Sequence, residues 1–275
     1  MTKKQDEEVT QHSGQVELVV PGVTAVVPAL APAGHGRGFE NVDMGDIAMP
    51  RAKLLQSNSP ECSDRDYSFR AGDIIHSLLM EKLPTKFVPL SIFSSNILFV
   101  PRDEGAAKAI KERLHLSDED MDSVIICRAQ DAKTGDRFGD CAACGKNKFD
   151  GNEKPICNAT INVLCVPIDD EDGSLGMPVV LQFSSTSFKH GKKFRDTAFY
   201  SSMGGDLFSK VYKLDSIECS GNGNRWYEMK VKPAGNVPAE MKSNVEGLYA
   251  TFAGKNIVVN EEPEAATEAK GGLQY

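Results

Sequence analysis

Residues 206–233 read DLFSKVYKLDSIECSGNGNRWYEMKVKP, two runs of alternating apolar and polar residues on either side of Gly221-Asn222-Gly223-Asn224. Glycine and asparagine tolerate the positive φ angles that a tight connection requires, so the stretch predicts a β-hairpin. Working outward, ATINVLCVPI (159–168) and PVVLQFSS (178–185) are rich in β-branched residues, and TKFVPLSIF (85–93) and SNILFV (95–100) are short apolar runs. GDIAMPRAKLLQ (45–56) and AGDIIHSLL (71–79) behave similarly. All six read as strands. Helical spacing is confined to GAAKAIKERLHLSDEDMDS (105–123), to 187–203 before Gly204-Gly205, and to PAEMKSNVEGLYATFAG (238–254). Many short strands with few helices predict a mainly β (α+β) chain, a barrel or sandwich with peripheral helices.

A chain of 275 residues with 40% hydrophobic and 25% charged residues can bury one sizeable core with decorated ends. Residues 1–36 mix charge, Val-Pro repeats and GHGRG and read as a flexible arm, 37–259 as the folded domain, and 260–275 as a mildly acidic disordered tail. The apolar stretch 16–33 carries Pro21, Pro28 and Pro32 and follows Asp6, Glu7 and Glu8, so it has the character of neither a membrane span nor a secretory signal. A cytoplasmic location is expected, where thiols stay reduced and clustered cysteines mean metal more often than disulfides.

Seven cysteines are present, and four of them crowd one segment. Cys141 and Cys144 form a Cys-x-x-Cys pair, with Cys127 upstream and Cys157 downstream on the flanks of predicted strands. Two thiolates on such a knuckle can share one tetrahedral ion with two more, so these four are the candidate ligands of one structural Zn2+. The ion would clamp a loop of Asp, Gly, Lys and Asn with no apolar content of its own. Independent buried or surface cysteines are the plainer alternative, and the spacing speaks against it. A redox pair should open a helix after a strand. A deaminase would add His-x-Glu, which none of the five histidines begins. Cys165 and Cys219 lie in strand patterns as core thiols, and Cys62 has no assignment.

The formal charge of -8 is unevenly spread. Residues 100–178 hold ten basic against sixteen acidic residues, whereas 179–235 hold nine against five. In the strand after GNGN, Trp226, Glu228, Lys230 and Lys232 share one face, and Tyr227, Met229 and Val231 share the core face. The protein's only tryptophan thus joins two lysines on an open face, a surface suited to stacking a base and holding phosphates. A tryptophan covered by a helix is the bland alternative. Arg225 lies beside it, and Lys210, Tyr212 and Lys213 sit on the partner strand, where alternation pairs Lys210 with Tyr212 and Val211 with Lys213. On the helix from 187, Lys189, Lys192 and Lys193 form a basic stripe opposite Phe188, Phe194 and Ala198. A basic stripe is usually a solvated face; this one stands between two strands of the positive section.

GFENVDMGDIAMPRAKLLQSNSPE (38–61) followed by AGDII, the cysteines of C…CAAC…C, and STSFK…FSKVYKLDS…WYEMKV together resemble a family of tailed-bacteriophage single-stranded DNA-binding proteins. The likeness spans about residues 38–232. It implies an OB-like barrel with an inserted zinc loop, sequence-independent coating of single strands in phage replication or recombination, and recruitment of other replication or recombination proteins through the tails. One departure bears on the last point: the chain ends AKGGLQY rather than in a strongly acidic tail.

Enzyme signatures fare poorly. DCAACGKN (140–147) lacks the first glycine of a phosphate loop and has Asn147 where a Ser or Thr would hold magnesium. The acidic run at 169–172 reads as a solvated turn. The expectation is therefore a non-enzymatic single-stranded DNA-binding protein. The alternative is a zinc-loop interaction factor for a host or phage polymerase or nuclease.

Overall fold

A computed structural model describes residues 47–259 apart from 102, 152 and 222. The expected arm (1–36) and tail (260–275) lie outside the described residues. Strands dominate: β1 (Arg51–Leu54), β2 (Ile74–His76), β3 (Glu81–Lys82), β4 (Lys86–Phe99), β5 (Ile125–Ala129), β8 (Asn158–Ile168), β9 (Val179–Phe183), β10 (Lys210–Gly221) and β11 (Asn224–Asn236) build one mixed sheet. Its order is β11-β10-β4-β8-β9-β1-β2-β3, with β5 on the far end of β4. Every pairing is antiparallel except β1 with β9. The expected mainly β fold is present; closure of the sheet into a barrel by main-chain pairing is not seen among the described residues.

The runs at 85–93 and 95–100 are one strand, not two. β4 continues through Pro89 because the register shifts between Pro89 and Ser91, and a bulge accommodates the residue that cannot donate to the ladder. This long strand pairs with β8 along one edge, and with β10 and then β5 along the other. After β9 comes the helix α4 (Phe188–Ser201), then the β10–β11 hairpin that begins the sheet order. β11 also meets the segment just after β1 through a side chain. Gln56 donates Nε2–H to the Tyr227 carbonyl (3.0 Å) and accepts the Tyr227 N–H at Oε1 (2.8 Å), imitating a ladder pair across the gap.

The strands alternate apolar residues to both faces because both are covered. On one face Ile161, Val163, Leu181, Phe183, Tyr212 and Met229 pack with Phe194 and Ala198 of α4. The Phe194 and Tyr212 rings meet edge to face, centroids 4.9 Å apart, and such pairs add about 0.5–1.5 kcal/mol beyond their buried area. Gly191 permits this approach, since a Cβ there would stand 2.5 Å from the Phe183 Cβ. On the other face Val88, Leu90, Leu164, Val166 and Val180 pack with Val245 and with partly buried Leu248 and Phe252 of α5 (Lys242–Phe252).

Between β4 and β8 the chain makes an excursion. The single helix expected over 105–123 is two, α1 (Glu104–Leu114) and α2 (Asp118–Asp122). His115 turns into the left-handed region (φ 52) and Ser117 opens the second helix with a capping box. β5 follows, then a small ladder of β6 (Thr134–Gly135) with β7 (Gly139–Asp140), and a one-turn helix α3 (Cys141–Cys144).

Candidate functional site

The hairpin register decides which side chains share its outer face. Trp226 pairs with Cys219, Glu228 with Ile217, Lys230 with Asp215, and Lys232 with Lys213. Directly paired residues lie on one side, so Trp226, Lys213, Lys230 and Lys232 stand together, opposite Met229 and Leu214 of the core. Lys213 and Lys232 both reach Asp215, at 3.6 and 3.1 Å. Such exposed pairs are worth about 0–1 kcal/mol and leave the ammonium groups open to a better partner.

Glu228 is the unexpected member: it is only 1% exposed. Trp226 Nε1–H donates to it (2.9 Å), Lys189 Nζ lies 2.9 Å away and His190 Nε2 2.8 Å. Burial pushes its carboxyl up, but the hydrogen bonds from Lys189, Trp226 and His190 outweigh this and hold it at about 2. The carboxylate therefore ties the start of α4 to the tryptophan strand and orients a half-buried indole whose far edge faces Gly221.

The remaining candidates divide. Lys192 and Lys193 are exposed on α4, with Lys192 Nζ 4.9 Å from the Phe188 ring centre. Lys210 donates to Asn236 (2.8 Å). Arg225 alternates to the face opposite Trp226 and meets Glu218 (3.4 Å). Tyr212 is not a surface residue. Both faces of the sheet are covered here, so Tyr212 is buried with Phe87 and Phe194 on one face and Val211 with the Val88 cluster on the other; the Tyr212 hydroxyl lies 2.8 Å from Ser201 Oγ.

The four cysteines come to one place. Cys127 lies on β5, Cys141 and Cys144 bracket α3, and Cys157 immediately precedes β8; all four line a cavity of about 20 Å³, room for one water-sized sphere. Asp140 caps the turn through the N–H groups of Ala142 and Ala143, and Gly145 (φ 66) ends it. Burial, then the proximity of Cys127, Cys141 and Cys144, pushes the Cys157 thiol up to about 12. Among the described residues no group of three or more His, Cys, Asp or Glu is arranged closely enough to hold a metal ion as placed. Nor does the loop lack a core. Leu98, Leu116 and Ile126 pack with partly buried Phe138 and Ile156, while Arg137 pairs with Asp120 and Arg113 with Glu153 (2.9 Å).

The sequence reading missed a groove of about 340 Å³ lined by β1, the start of β8, the end of β9 and β11. Arg51 lies in it, 7% exposed, with Nη2 buried and unpartnered. The available signal was a lone cation inside the apolar run AMPRAKLL. No described helix is long and apolar enough to cross a membrane.

Neither a curated protein nor a solved structure matches the chain. A family model does, over residues 22–258. That match takes in the paired sheet, the cysteine loop and the hairpin alike, and by it the chain belongs to the family of Pam3 phage gp34-like proteins.

Proposed function

We propose that the protein binds single-stranded DNA, without catalysis and largely without sequence preference, in phage DNA replication or recombination within the host cytoplasm. The observation that carries this reading is the outer face of the β10–β11 hairpin. There the only tryptophan stands with Lys213, Lys230 and Lys232, and through Glu228 with Lys189. An indole offers a sequence-tolerant stacking surface, and ammonium groups at neighbouring positions track a phosphate backbone. The connectivity supports an OB-like barrel as the scaffold. β4 pairs with both β8 and β10, and α4 intervenes between β9 and β10, as in a five-stranded, partly open barrel of that kind.

Cys127, Cys141, Cys144 and Cys157 would hold one structural Zn2+; the fit rests on four sulfur donors around one small cavity. The tails would meet other replication or recombination proteins. One observation favours the alternative reading, an interaction factor acting through the cysteine loop: Phe149 stands 70% exposed on it.

The two readings separate in one titration series. Replacing Trp226 by Ala removes a stacking platform worth about 1–3 kcal/mol per base, so affinity for a thymidine oligonucleotide falls in a variant that stays folded, although loss of the hydrogen bond to Glu228 lowers its melting temperature. Lys230→Ala weakens binding equally for all sequences and flattens the salt dependence by about 0.7. A folded Trp226→Ala variant with full affinity removes the basis of the proposal.

A further inference from the structure

Arg51 poses a problem of charge. A guanidinium withdrawn from water needs an anion or a full set of acceptors, because an uncompensated buried ion is costly. Arg51 is 7% exposed, its Nη2 has no hydrogen-bond partner, and among the described residues it makes no ion pair. The groove it lines contains no aspartate or glutamate. Its other cation, Lys53, is already engaged by Glu61. Among the described residues Arg51 is therefore the one charge of the groove without an anionic partner.

The surroundings narrow the ligand's chemistry. Thr160, Ser184 and Thr186 bring hydroxyls to the same groove, and Ser185 beside them holds a positive φ of 46, a strained conformation that persists only where its surroundings impose it. Phe99 and Tyr227 add aromatic wall. A planar, fixed cation with hydroxyls fits the oxygens of a phosphate, and an aromatic wall fits the base attached to it. A volume of about 340 Å³ lies in the range of small-ligand sites.

We infer that the groove over β1, β8 and β9 is a nucleotide-phosphate site in which Arg51 meets the phosphate. The phosphate comes either from a free nucleotide or from one unit of a strand, and only the second case rests on the function proposed above. Arg51 supplies charge and a two-pronged donor; the hydroxyls complete the shell. The groove takes in Tyr227 and Met229 on the face of β11 opposite Trp226, so Arg51 and Trp226 can be substituted separately.

The test is thermal melting of the full chain in chloride buffer against inorganic phosphate, thymidine monophosphate and a thymidine oligonucleotide, for the unaltered protein and for Arg51→Met. Phosphate and nucleotide raise the melting temperature of the unaltered protein. Arg51→Met, relieved of an unpaired buried charge, melts no lower in chloride and loses that rise. Arg51→Lys retains the charge but not the fork, and its half-saturating nucleotide concentration increases about tenfold. A rise with the monophosphate assigns a free nucleotide; a rise with the oligonucleotide alone, lost in Arg51→Met, assigns a strand. Stabilisation by none of the three, or an undiminished rise in Arg51→Met, overturns the inference. If the monophosphate stabilises a protein that binds no oligonucleotide, the phosphate site stands and the DNA-binding function falls.

Discussion

Glu228 shows how one buried carboxylate can organise a surface. Burial alone pushes its carboxyl up; three donors from two elements outweigh this and hold it at about 2 against an ordinary 4.5. A carboxyl whose folded value is depressed contributes stability that is fully present above its unfolded value and is lost as pH falls through the folded one. The protein should accordingly lose stability as pH drops from about 4.5 towards about 2, measured as the urea midpoint across that window. Glu228→Gln should be less stable at neutral pH by about 1–3 kcal/mol, because it weakens the charge-assisted hydrogen bonds that tie His190, Lys189 and Trp226 together. It should also lack that part of the acid dependence. Parallel acid profiles for the two proteins would mean that Glu228 is not held charged by these partners.

Among the elements, those set by local chemistry were legible in the sequence. The β10–β11 hairpin follows from GNGN between alternating runs, and α4 from the spacing of Phe194 and Ala198. What escaped depends on register shifts or distant partners. The bulge at Pro89 merges two apparent strands, and the Tyr212 ring expected at the surface is covered by Phe194 and Ala198 of α4. Glu228 is buried by residues 38 and 39 positions away, and Arg51 shares its groove with β8 and β9. The convergence of four cysteines was legible from spacing, but the satellite core of Leu98, Phe138 and Ile156 was not. That core sets the size of a prediction. Purified protein should carry about one zinc per chain, and Cys144→Ser should lower both metal content and melting temperature. Because the loop also has packing and ion pairs of its own, the loss should be partial, without the collapse seen where metal alone folds a domain. Metal-free protein from a chelator-free preparation would refute the zinc assignment.

At the scale of the whole molecule, one mixed sheet is covered by α4 on one side and α5 on the other. Among the described residues this leaves, besides the cysteine loop, the outer face of the last hairpin and the Arg51 groove open to a ligand. The net charge of -8 disfavours indiscriminate attraction to polyanions, so affinity for DNA must come from local cations and from stacking that duplex bases cannot offer. The most direct test of the central claim is equilibrium binding of a thymidine oligonucleotide and of a duplex of equal length, each at two salt concentrations. The account predicts tight, salt-sensitive binding of the single strand, losing about 0.7 in log–log slope per phosphate contact, and much weaker binding of the duplex. Equal affinity for both strands, or binding indifferent to salt, would contradict it.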